Sequence, residues 1–377
     1  MKTNNNKYTM VAKTFHGLEG VLAAELKEIG AENIQKLKRA VKFSGDKELM
    51  YKSNLMLRTA VRILKPVHMF RVQNEKQLYL RSKEAKWNEL ISPDMTIAIS
   101  ATVNSPNFNH ANFAALKVKD AIVDKIRNKE GARPYIDRVD PDINLHVHIS
   151  MEDCEIYLDS SGDSLHKRGW RTGQAEAPLS EILAAGMVKL SGWDGNEDFL
   201  DPMCGSGTLC IEAAMQAANI PPGINREFAF MKWPDFDKKL WNRVLNEAKA
   251  AIKEPVCRIY GRDISSKALN ITRDNAAKAG VDRFVNVSKR DFFDEHPENF
   301  EGNIVINPPY GERIEIEDLV GFYRNIGDSL KQYHKGSTAW VLCSDKQAIK
   351  NVGLKPSQKM VLFNGKLECR FHKFELY

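Results

Sequence analysis

Two patterns of hydrophobic and polar residues follow one another along the chain. The first half mixes strand-like alternation with helical repeats, whereas from Ser180 onward short apolar strands alternate regularly with helices. In the first half the pattern predicts a strand at 8–13, a helix from about Gly17 to Gly30, strands within 94–103 and 143–158, and a helix at 112–128. We therefore expect an α+β first half followed by a doubly wound α/β domain on a parallel sheet.

The change of pattern predicts a domain boundary near residues 160–173. A chain of 377 residues exceeds what one hydrophobic core usually organises, so at least two folded units are expected. No run reaches the roughly 18 apolar residues of a membrane helix, and no secretion signal is visible at the start. The six cysteines are scattered without a CxxC pair, so no metal site or disulfide framework is expected. These features predict a cytoplasmic protein.

A glycine turn follows the first strand of the predicted α/β domain. The strand at 198–200 leads into this turn, and a helix at 209–218 follows it. Gly205 and Gly207 have no side chains, so the backbone can turn tightly and approach a ligand at the carboxyl end of the strand. By itself a G-x-G turn fits a nucleotide site and a plain strand-to-helix connection equally well.

Acidic residues end the next two predicted strands. Asp263 closes the strand at 258–263, where its carboxylate could accept hydrogen bonds from both hydroxyls of a ribose. Asp291 follows the strand at 285–289 and is placed to accept a hydrogen bond from an adenine amino group. A salt bridge between Asp291 and Arg290 is the alternative.

An insertion is predicted between the glycine turn and the first of these acids. Asp263 lies 56 residues after Gly207, whereas about 20 residues separate the two features in dinucleotide folds. Residues 219–254 can form the insertion. We expect its aromatic side chains to pack in a core rather than stack on a substrate; they are Phe228, Phe230, Trp233 and Trp241.

The fourth strand, at 302–306, indicates the reaction, because it runs directly into Asn307-Pro308-Pro309-Tyr310. The amino group of a nucleobase is a poor nucleophile, since its lone pair is delocalised into the ring. The side-chain oxygen of Asn307 and the carbonyl of Pro308 could accept its hydrogens and localise that pair. The ring of Tyr310 could stack on an extruded base. The alternative is a Pro-Pro turn with an incidental tyrosine.

Positive charge is concentrated in one segment of the first half. Residues 36–87 contain 14 Lys and Arg but only 4 Asp and Glu, which leaves the rest of the chain at −4. Such a surplus suits a polyanionic partner, although a solvated protein surface is the alternative. In the same half, His146 and His148 fall on one face of a predicted strand, where polar-out alternation explains them better than a metal site.

The motifs taken together resemble those of class I S-adenosylmethionine-dependent amino-methyltransferases. The match follows the chain order: Asp201 to Thr208, then Asp263, Asp291, and Asn307 to Tyr310. More narrowly, the chain is similar over nearly its whole length to the bacterial RlmL-type 23S rRNA guanine-N2 methyltransferases. The segments that carry this narrower resemblance are 166–171, 177–181, 201–208 and 307–313.

The resemblance implies three structural units. They are a ferredoxin-like segment at 1–65, a THUMP RNA-binding domain at 66–160 and a Rossmann-like class I methyltransferase domain at 161–377. It also implies that the last sheet ends in an antiparallel hairpin, for which Asn364-Gly365 supplies the turn signal.

The resemblance further implies S-adenosylmethionine as cofactor, with no metal. The cofactor-binding residues would be Asp201, Met203, Cys204, Gly205, Ser206, Gly207, Thr208, Asp263, Ile264, Asp291, Phe292 and Asn307. The catalytic residues would be Asn307, Pro308, Pro309 and Tyr310.

The implied substrate is a guanine N2 in RNA, with 23S rRNA or an assembling large subunit preferred. Some relatives carry a second methyltransferase domain after the first, and this chain stops at Tyr377, so one modification is expected. A tRNA guanine-N2 methyltransferase shares the same motifs and stays open. A DNA adenine-N6 methyltransferase shares the Asn-Pro-Pro-Tyr chemistry, but no helix-turn-helix or zinc-finger signature is visible. A non-catalytic RNA-binding assembly factor is the third alternative, against which the intact motifs speak.

Overall fold

The computed structural model describes residues 7–171, 179–294, 300–309 and 318–377, and two β-sheets organise them. The first sheet has eight strands in the order β2-β3-β1-β4-β8-β7-β5-β6. Its strands are β1 (Tyr8–Lys13), β2 (Glu32–Leu37), β3 (Ala40–Gly45), β4 (Arg62–Arg71), β5 (Thr96–Asn104), β6 (Tyr135–Ile136), β7 (Ile143–Ser150) and β8 (Asp153–Asp159). Its helices are α1 (Glu19–Glu28), α2 (Lys47–Met56), α3 (Glu75–Ser82) and α4 (Ala111–Glu130).

The second sheet has seven strands in the order β11-β10-β9-β12-β13-β15-β14. Its strands are β9 (Asp198–Asp201), β10 (Ile259–Asp263), β11 (Val285–Lys289), β12 (Gly302–Ile306), β13 (Thr338–Cys343), β14 (Gln358–Asn364) and β15 (Leu367–Glu375). The helices of the second half of the chain are α5 (Glu181–Leu190), α6 (Thr208–Ala217), α7 (Lys238–Ala250), α8 (Ser266–Ala279) and α9 (Leu319–Tyr333). Short 3₁₀ helices lie at Trp87–Glu89, Ala229–Lys232, Asp282–Phe284 and Ala348–Val352.

The second sheet confirms the predicted doubly wound α/β domain. Strands β9 to β13 pair in parallel, and β15 pairs antiparallel with both β13 and β14. All five residues of β12 are buried, as expected for a central strand covered on both faces. The Asn364-Gly365 turn closes the predicted hairpin, with Gly365 at φ 64°. The strand order reverses between β9 and β12, which is where such sheets bind ligands.

The predicted elements of the first half are also present, with shifted ends. The first helix begins at Glu19 rather than at Gly17, whose φ of 90° is not helical. The alternating segment 143–158 is a hairpin of two strands rather than one continuous strand. In β7 the apolar side chains are buried in the core, while His146 hydrogen-bonds to Ser100 and Thr102 on the other face. The described residues contain no cluster of three or more potential metal ligands.

The units predicted from the sequence are joined in the structure by a shared strand and a shared hydrophobic core. Strand β4 runs through the predicted boundary between residues 65 and 66, so the two amino-terminal units share one sheet. The four aromatic side chains of the predicted insertion are buried, as expected, but in the core of the first sheet. Phe230 stacks on Tyr51 of α2 with ring centroids 4.4 Å apart. No helix among the described residues is long and apolar enough to cross a membrane.

Candidate active site

Backbone hydrogen bonds hold the glycine turn after β9 against strand β10. The amide of Cys204 donates to the carbonyl of Arg262 on β10 at 2.8 Å, and the amide of Gly207 donates to the carbonyl of Cys204 at 2.8 Å. Gly205 and Gly207 have φ angles of 56° and 79°, in the left-handed region that favours glycine. The turn thus leads directly into helix α6, at the carboxyl edge of the sheet.

Two polar residues of α8, which sequence reasoning missed, support this turn. Thr272 donates its hydroxyl to the carbonyl of Gly205 at 2.8 Å, and the Asn275 amide donates to the carbonyl of Ser206 at 3.0 Å. Both side chains belong to fully buried residues. Their spacing of three residues places them on the same buried face of α8, where polar side chains are unexpected. Two polar residues on a face that should be apolar are the sequence feature that could have identified them as functional.

Asp263 connects the glycine turn to the second strand. One carboxylate oxygen accepts the amide of Gly205 at 2.9 Å, and the other accepts the amide of Ser265 at 2.8 Å. Each oxygen retains a second lone pair, so two further donors can bind at the same carboxylate. The adjacent Ile264 is 63% exposed, which leaves an apolar surface beside the carboxylate. This geometry suits a ribose with a flat ring next to it.

Asp201 is buried beneath the turn and is 2% exposed. It accepts the amide of Met203 at 3.2 Å. Burial first, and then the nearby charge of Asp263, raises the pKa of Asp201 to about 8. At neutral pH its carboxyl group is therefore largely protonated, unless a cation or a further donor stabilises the ionised form.

The acid after β11 is also at this edge. Asp291 accepts the amide of Phe293 at 3.0 Å. The next residue, Phe292, is buried and lies stacked on His334, with ring centroids 5.5 Å apart. Burial, followed by the charge of Arg262, lowers the pKa of His334 to about 4, so this ring is neutral at physiological pH. His334 was not predicted, and no local sequence pattern links it to Phe292.

Arg171, at the end of the 166–171 segment, reaches the same turn from the linker between the sheets. Its guanidinium pairs with Glu181 at 2.8 Å. It also donates to the hydroxyls of Ser206 at 3.4 Å and Thr208 at 3.3 Å. The resemblance segment 166–171 therefore contacts the predicted cofactor turn. Residues 177 and 178 of the neighbouring segment lie outside the described residues.

The end of β12 contributes an unsatisfied acceptor. The side-chain oxygen of Asn307 is buried and has no hydrogen-bond partner within the described parts of the chain. Leaving such an atom unpaired costs about 1–3 kcal/mol, so this position favours a ligand with a donor. Pro308 is buried and Pro309 is half-buried. Tyr310, predicted as the stacking ring, and the following residues to 313 lie outside the described residues.

Sheet geometry brings the predicted cofactor and amine motifs together. Strands β9 and β12 are direct parallel neighbours, with Gly302 opposite Asp198 and Ile304 opposite Leu200. Asp201 and Asn307 consequently lie at the carboxyl edge of adjacent strands, on the two sides of the topological switch point. Strands β10 and β11 continue this edge toward Asp263 and Asp291.

Three family models match consecutive parts of the chain. The model of the RMKL-like methyltransferase domain matches residues 168–373, more than half of the chain. The chain belongs to this methyltransferase family. The RlmL ferredoxin-like model matches residues 9–64, and the THUMP model matches residues 72–159. The predicted family and methyltransferase fold are thus confirmed.

Two relatives extend the similarity over nearly the whole chain. A Synechocystis protein, provisionally named RNA methyltransferase slr0064, is 39% identical over 97% of this chain and 96% of its own length. The ribosomal RNA large subunit methyltransferase K/L of Shewanella frigidimarina is 38% identical over 96% of this chain. The match covers 52% of that protein, so this chain spans about half the length of its K/L relatives.

Solved structures show the same fold. The provisionally assigned methyltransferase SMU.472, solved in complex with S-adenosylhomocysteine (SAH), is 30% identical with a TM-score of 0.88 and covers 98% of both chains. A Listeria monocytogenes protein, provisionally named an N6-adenine-specific DNA methylase, is 29% identical with a TM-score of 0.89. The match covers 99% of this chain and 97% of the Listeria chain. The names of these similar proteins therefore include both RNA and DNA as substrates.

The basic segment 36–87 is only partly available to a polyanion. Arg58 is 7% exposed, and Arg62 pairs with the buried Asp159. Lys47 and Lys52 pair with carboxylates at 3.0 and 2.7 Å. Exposed cations remain on the β2–β3 hairpin at Lys36, Lys38, Arg39 and Lys42. The surplus counted along the sequence thus overstates the positive surface.

Proposed function

We propose that this methyltransferase transfers a methyl group from S-adenosylmethionine to the exocyclic N2 of a guanine in RNA. The proposal is carried by the side-chain oxygen of Asn307 at the carboxyl end of β12, which is buried and has no hydrogen-bond partner among the described residues. An amino group donates two hydrogens, and this oxygen sits beside the predicted cofactor turn with an acceptor free for one of them.

The residues at the sheet edge fit the cofactor. A side chain added at Gly205 would meet open space, so a ligand can lie directly against this turn. Asp263 offers two spare lone pairs for the ribose, and Asp291 and Ile264 would bind and cover the adenine. When bound, S-adenosylmethionine supplies an electrophilic methyl group on a sulfonium. The solved relative that contains SAH supports this choice of cofactor.

The chain's own groups orient and activate the amine. Asn307 and the carbonyl of Pro308 accept its two hydrogens, which localises the nitrogen lone pair and aims it at the methyl group. With the cofactor bound, the N–C bond would form as the S–C bond breaks, and the surplus amine proton would then leave to solvent. No charged base is needed, and the acceleration comes from alignment of the reacting atoms. Stacking of the base on Tyr310 stays a sequence prediction.

RNA is the proposed substrate because of the first half of the chain. The THUMP match covers residues 72–159, and the relatives that align over nearly all of this chain are named RNA or ribosomal RNA methyltransferases. Within RNA, 23S rRNA or an assembling large subunit is the preferred substrate, and tRNA is the second candidate. The name of the Listeria structure keeps DNA adenine N6 as a competing target.

The deciding experiment offers the protein unmodified rRNA, tRNA and DNA together with isotopically labelled S-adenosylmethionine. Nucleosides are then digested and analysed by mass spectrometry, with the Asn307→Ala variant as the inactive control. We expect labelled N2-methylguanosine in large-subunit rRNA. The same product only in tRNA would keep the chemistry and change the substrate. Labelled N6-methyladenine would overturn the guanine assignment, and no label in any nucleic acid would favour a non-catalytic RNA-binding role.

A further inference from the structure

A cavity lies away from the sheet edge just described, among α3, α4 and β6 of the first half. It encloses about 420 Å³. Its walls include Tyr79, Lys117, Arg127, Arg133 and Tyr135. All of its lining residues lie between positions 79 and 136, so none belongs to the methyltransferase site.

The cavity has an excess of positive charge. Two of its four cations are balanced locally, because Lys119 pairs with Asp120 at 2.7 Å and Arg127 pairs with Asp124 at 2.7 Å. The other two, Lys117 and Arg133, have no carboxylate within ion-pair distance among the residues that the structure describes. Two uncompensated cations at one cavity favour an anionic group there.

An exposed aromatic ring accompanies these cations. Tyr135 is 70% exposed, although it belongs to a strand. Two backbone hydrogen bonds hold this segment in place. The backbone amide of Tyr135 donates to the carbonyl of Met95 at 3.2 Å, and the backbone amide of Asp137 donates to the carbonyl of Ile97 at 3.2 Å. The ring is thus presented to solvent on a hydrogen-bonded edge strand, rather than on a free loop.

A guanidinium lies two residues before this ring in the chain, and both Arg133 and Tyr135 are exposed while Pro134 between them is buried. Pro134 separates Arg133 from Tyr135 and restricts Arg133 to extended backbone. In an extended segment, alternate side chains project to the same side, so Arg133 and Tyr135 face one direction. On the opposite wall, the hydroxyl of Tyr79 donates to Asp124 at 2.6 Å, which fixes that ring in place.

We propose that this cavity binds one unpaired nucleotide of an RNA, with its base stacked on Tyr135 and its phosphate at Arg133 and Lys117. An exposed aromatic face beside cations is the combination by which proteins hold single-stranded nucleic acids. A base-paired duplex hides its base faces in the stack and does not suit a cavity of this size. The inference rests on the proposed function, because it assumes that the substrate is RNA.

The test compares RNA affinity for matched variants by fluorescence anisotropy with a short single-stranded oligouridylate. Tyr135→Ala should weaken binding by about 5- to 150-fold, since stacking of one base contributes about 1–3 kcal/mol. Tyr135→Phe keeps the ring and should bind like the wild type. Tyr377→Ala is the control for an exposed tyrosine elsewhere, because Tyr377 is 92% exposed at the end of the chain.

The salt dependence of RNA binding distinguishes the contribution of the cations from that of the Tyr135 ring. Arg133→Ala should lower the slope of log affinity against log salt by about 0.7, the value for one phosphate contact on a single strand. Tyr135→Ala should leave this slope unchanged, because stacking releases no counterion. Lys278→Ala, at an exposed lysine of α8, removes the same charge from the other sheet and should leave both affinity and slope unchanged.

Cross-linking and methyl transfer make the outcomes distinguishable. An oligonucleotide with 4-thiouridine should photo-cross-link to the peptide that contains Tyr135, and Tyr135→Ala should raise KM for RNA without lowering kcat. If the wild type methylates RNA while both variants keep wild-type affinity, slope and KM, this inference is wrong and the proposed function stands. If polyglutamate displaces the oligouridylate and Tyr135→Ala has no effect, the cavity is a general anion site. If the wild type neither binds nor methylates RNA, both proposals are wrong.

Discussion

The guanidinium of Arg168 donates to the carboxylate of Glu212 at 3.2 Å, and their side chains are only 2% and 0% exposed. Arg168 also donates to the carbonyl of Arg58, whose own guanidinium donates to the carbonyls of Met215 and Ile220 at 3.0 and 2.7 Å. Glu212 lies in α6, the helix that begins at the glycine turn. The buried pair therefore connects the amino-terminal unit to the element that positions the cofactor.

Replacing Glu212 by Ala should destabilise the protein strongly. The change leaves the Arg168 guanidinium buried without its carboxylate, which typically costs about 3–5 kcal/mol. Urea unfolding followed by circular dichroism measures the loss. The matched control is Asp163→Ala, because Asp163 forms an exposed pair with Lys167 at 3.1 Å and such pairs contribute little. Similar losses in the two variants would contradict the structural role of the buried pair.

Two glycines of the same turn should respond differently to alanine. Both have positive φ, which costs an alanine about 1–2 kcal/mol. A Cβ at Gly205 would meet nothing, whereas a Cβ at Gly207 would lie 2.5 Å from Cγ2 of Thr272. Gly207→Ala should therefore lose a further 1–3 kcal/mol or so of unfolding free energy. Denaturant titration of both variants checks the difference.

The clash itself can be relieved in a double variant. Thr272→Ser removes Cγ2 but keeps the hydroxyl that donates to the carbonyl of Gly205. Combined with Gly207→Ala, it should restore part of the additional loss. If the double variant lost as much unfolding free energy as the sum of the losses of Gly207→Ala and Thr272→Ser, the clash with Cγ2 of Thr272 would not be the cause of the additional loss.

Asp201 should make the stability of the free protein depend on pH. Its folded-state pKa of about 8 lies above the ordinary value of 3.8, so the folded state keeps a proton that the unfolded state releases between these values. The folded state then binds more protons, and the stability falls as the pH rises through this window. Asp201→Asn cannot ionise, yet its side-chain oxygen can still accept the amide of Met203.

The comparison of wild type with Asp201→Asn isolates this contribution from other titrating groups. Between pH 5 and pH 8 the wild type should lose more unfolding free energy than the variant, by at least the 1.4 kcal/mol or so that one pKa unit represents. Urea midpoints at the two pH values measure it. Parallel pH profiles for the two proteins would show that Asp201 ionises normally in the folded state.

Asn307→Ala should separate catalysis from cofactor binding. The variant loses the acceptor for the target amine, and the loss of one such positioned group typically lowers kcat by about 10²- to 10³-fold. The affinity for S-adenosylmethionine, measured by calorimetry, should stay nearly unchanged. Asn196→Ala, in an exposed loop, is the control. Equal losses of turnover and cofactor affinity would refute the role assigned to Asn307.

Several features could be predicted because they depend on local sequence. The strands at 285–289 and 302–306 have the predicted ends. Each strand, turn and helix carries its own hydrophobic period and its own glycine or proline stop signal. The order of these units along the chain was sufficient to place the glycine turn, Asp263, Asp291 and Asn307 at one sheet edge.

The sequence by itself thus determined the fold class, the family and the position of the candidate site, since each follows from short segments read in order. Only the tertiary structure decided how the two halves meet. Across the halves it stacked Phe230 on Tyr51, and within each half it paired distant side chains, Arg62 with Asp159 and Arg168 with Glu212. These partners are separated by 44 to 179 residues, and no local period specifies a contact at such distances. Packing of the whole chain selects them, because only the folded core brings complementary shapes and charges together.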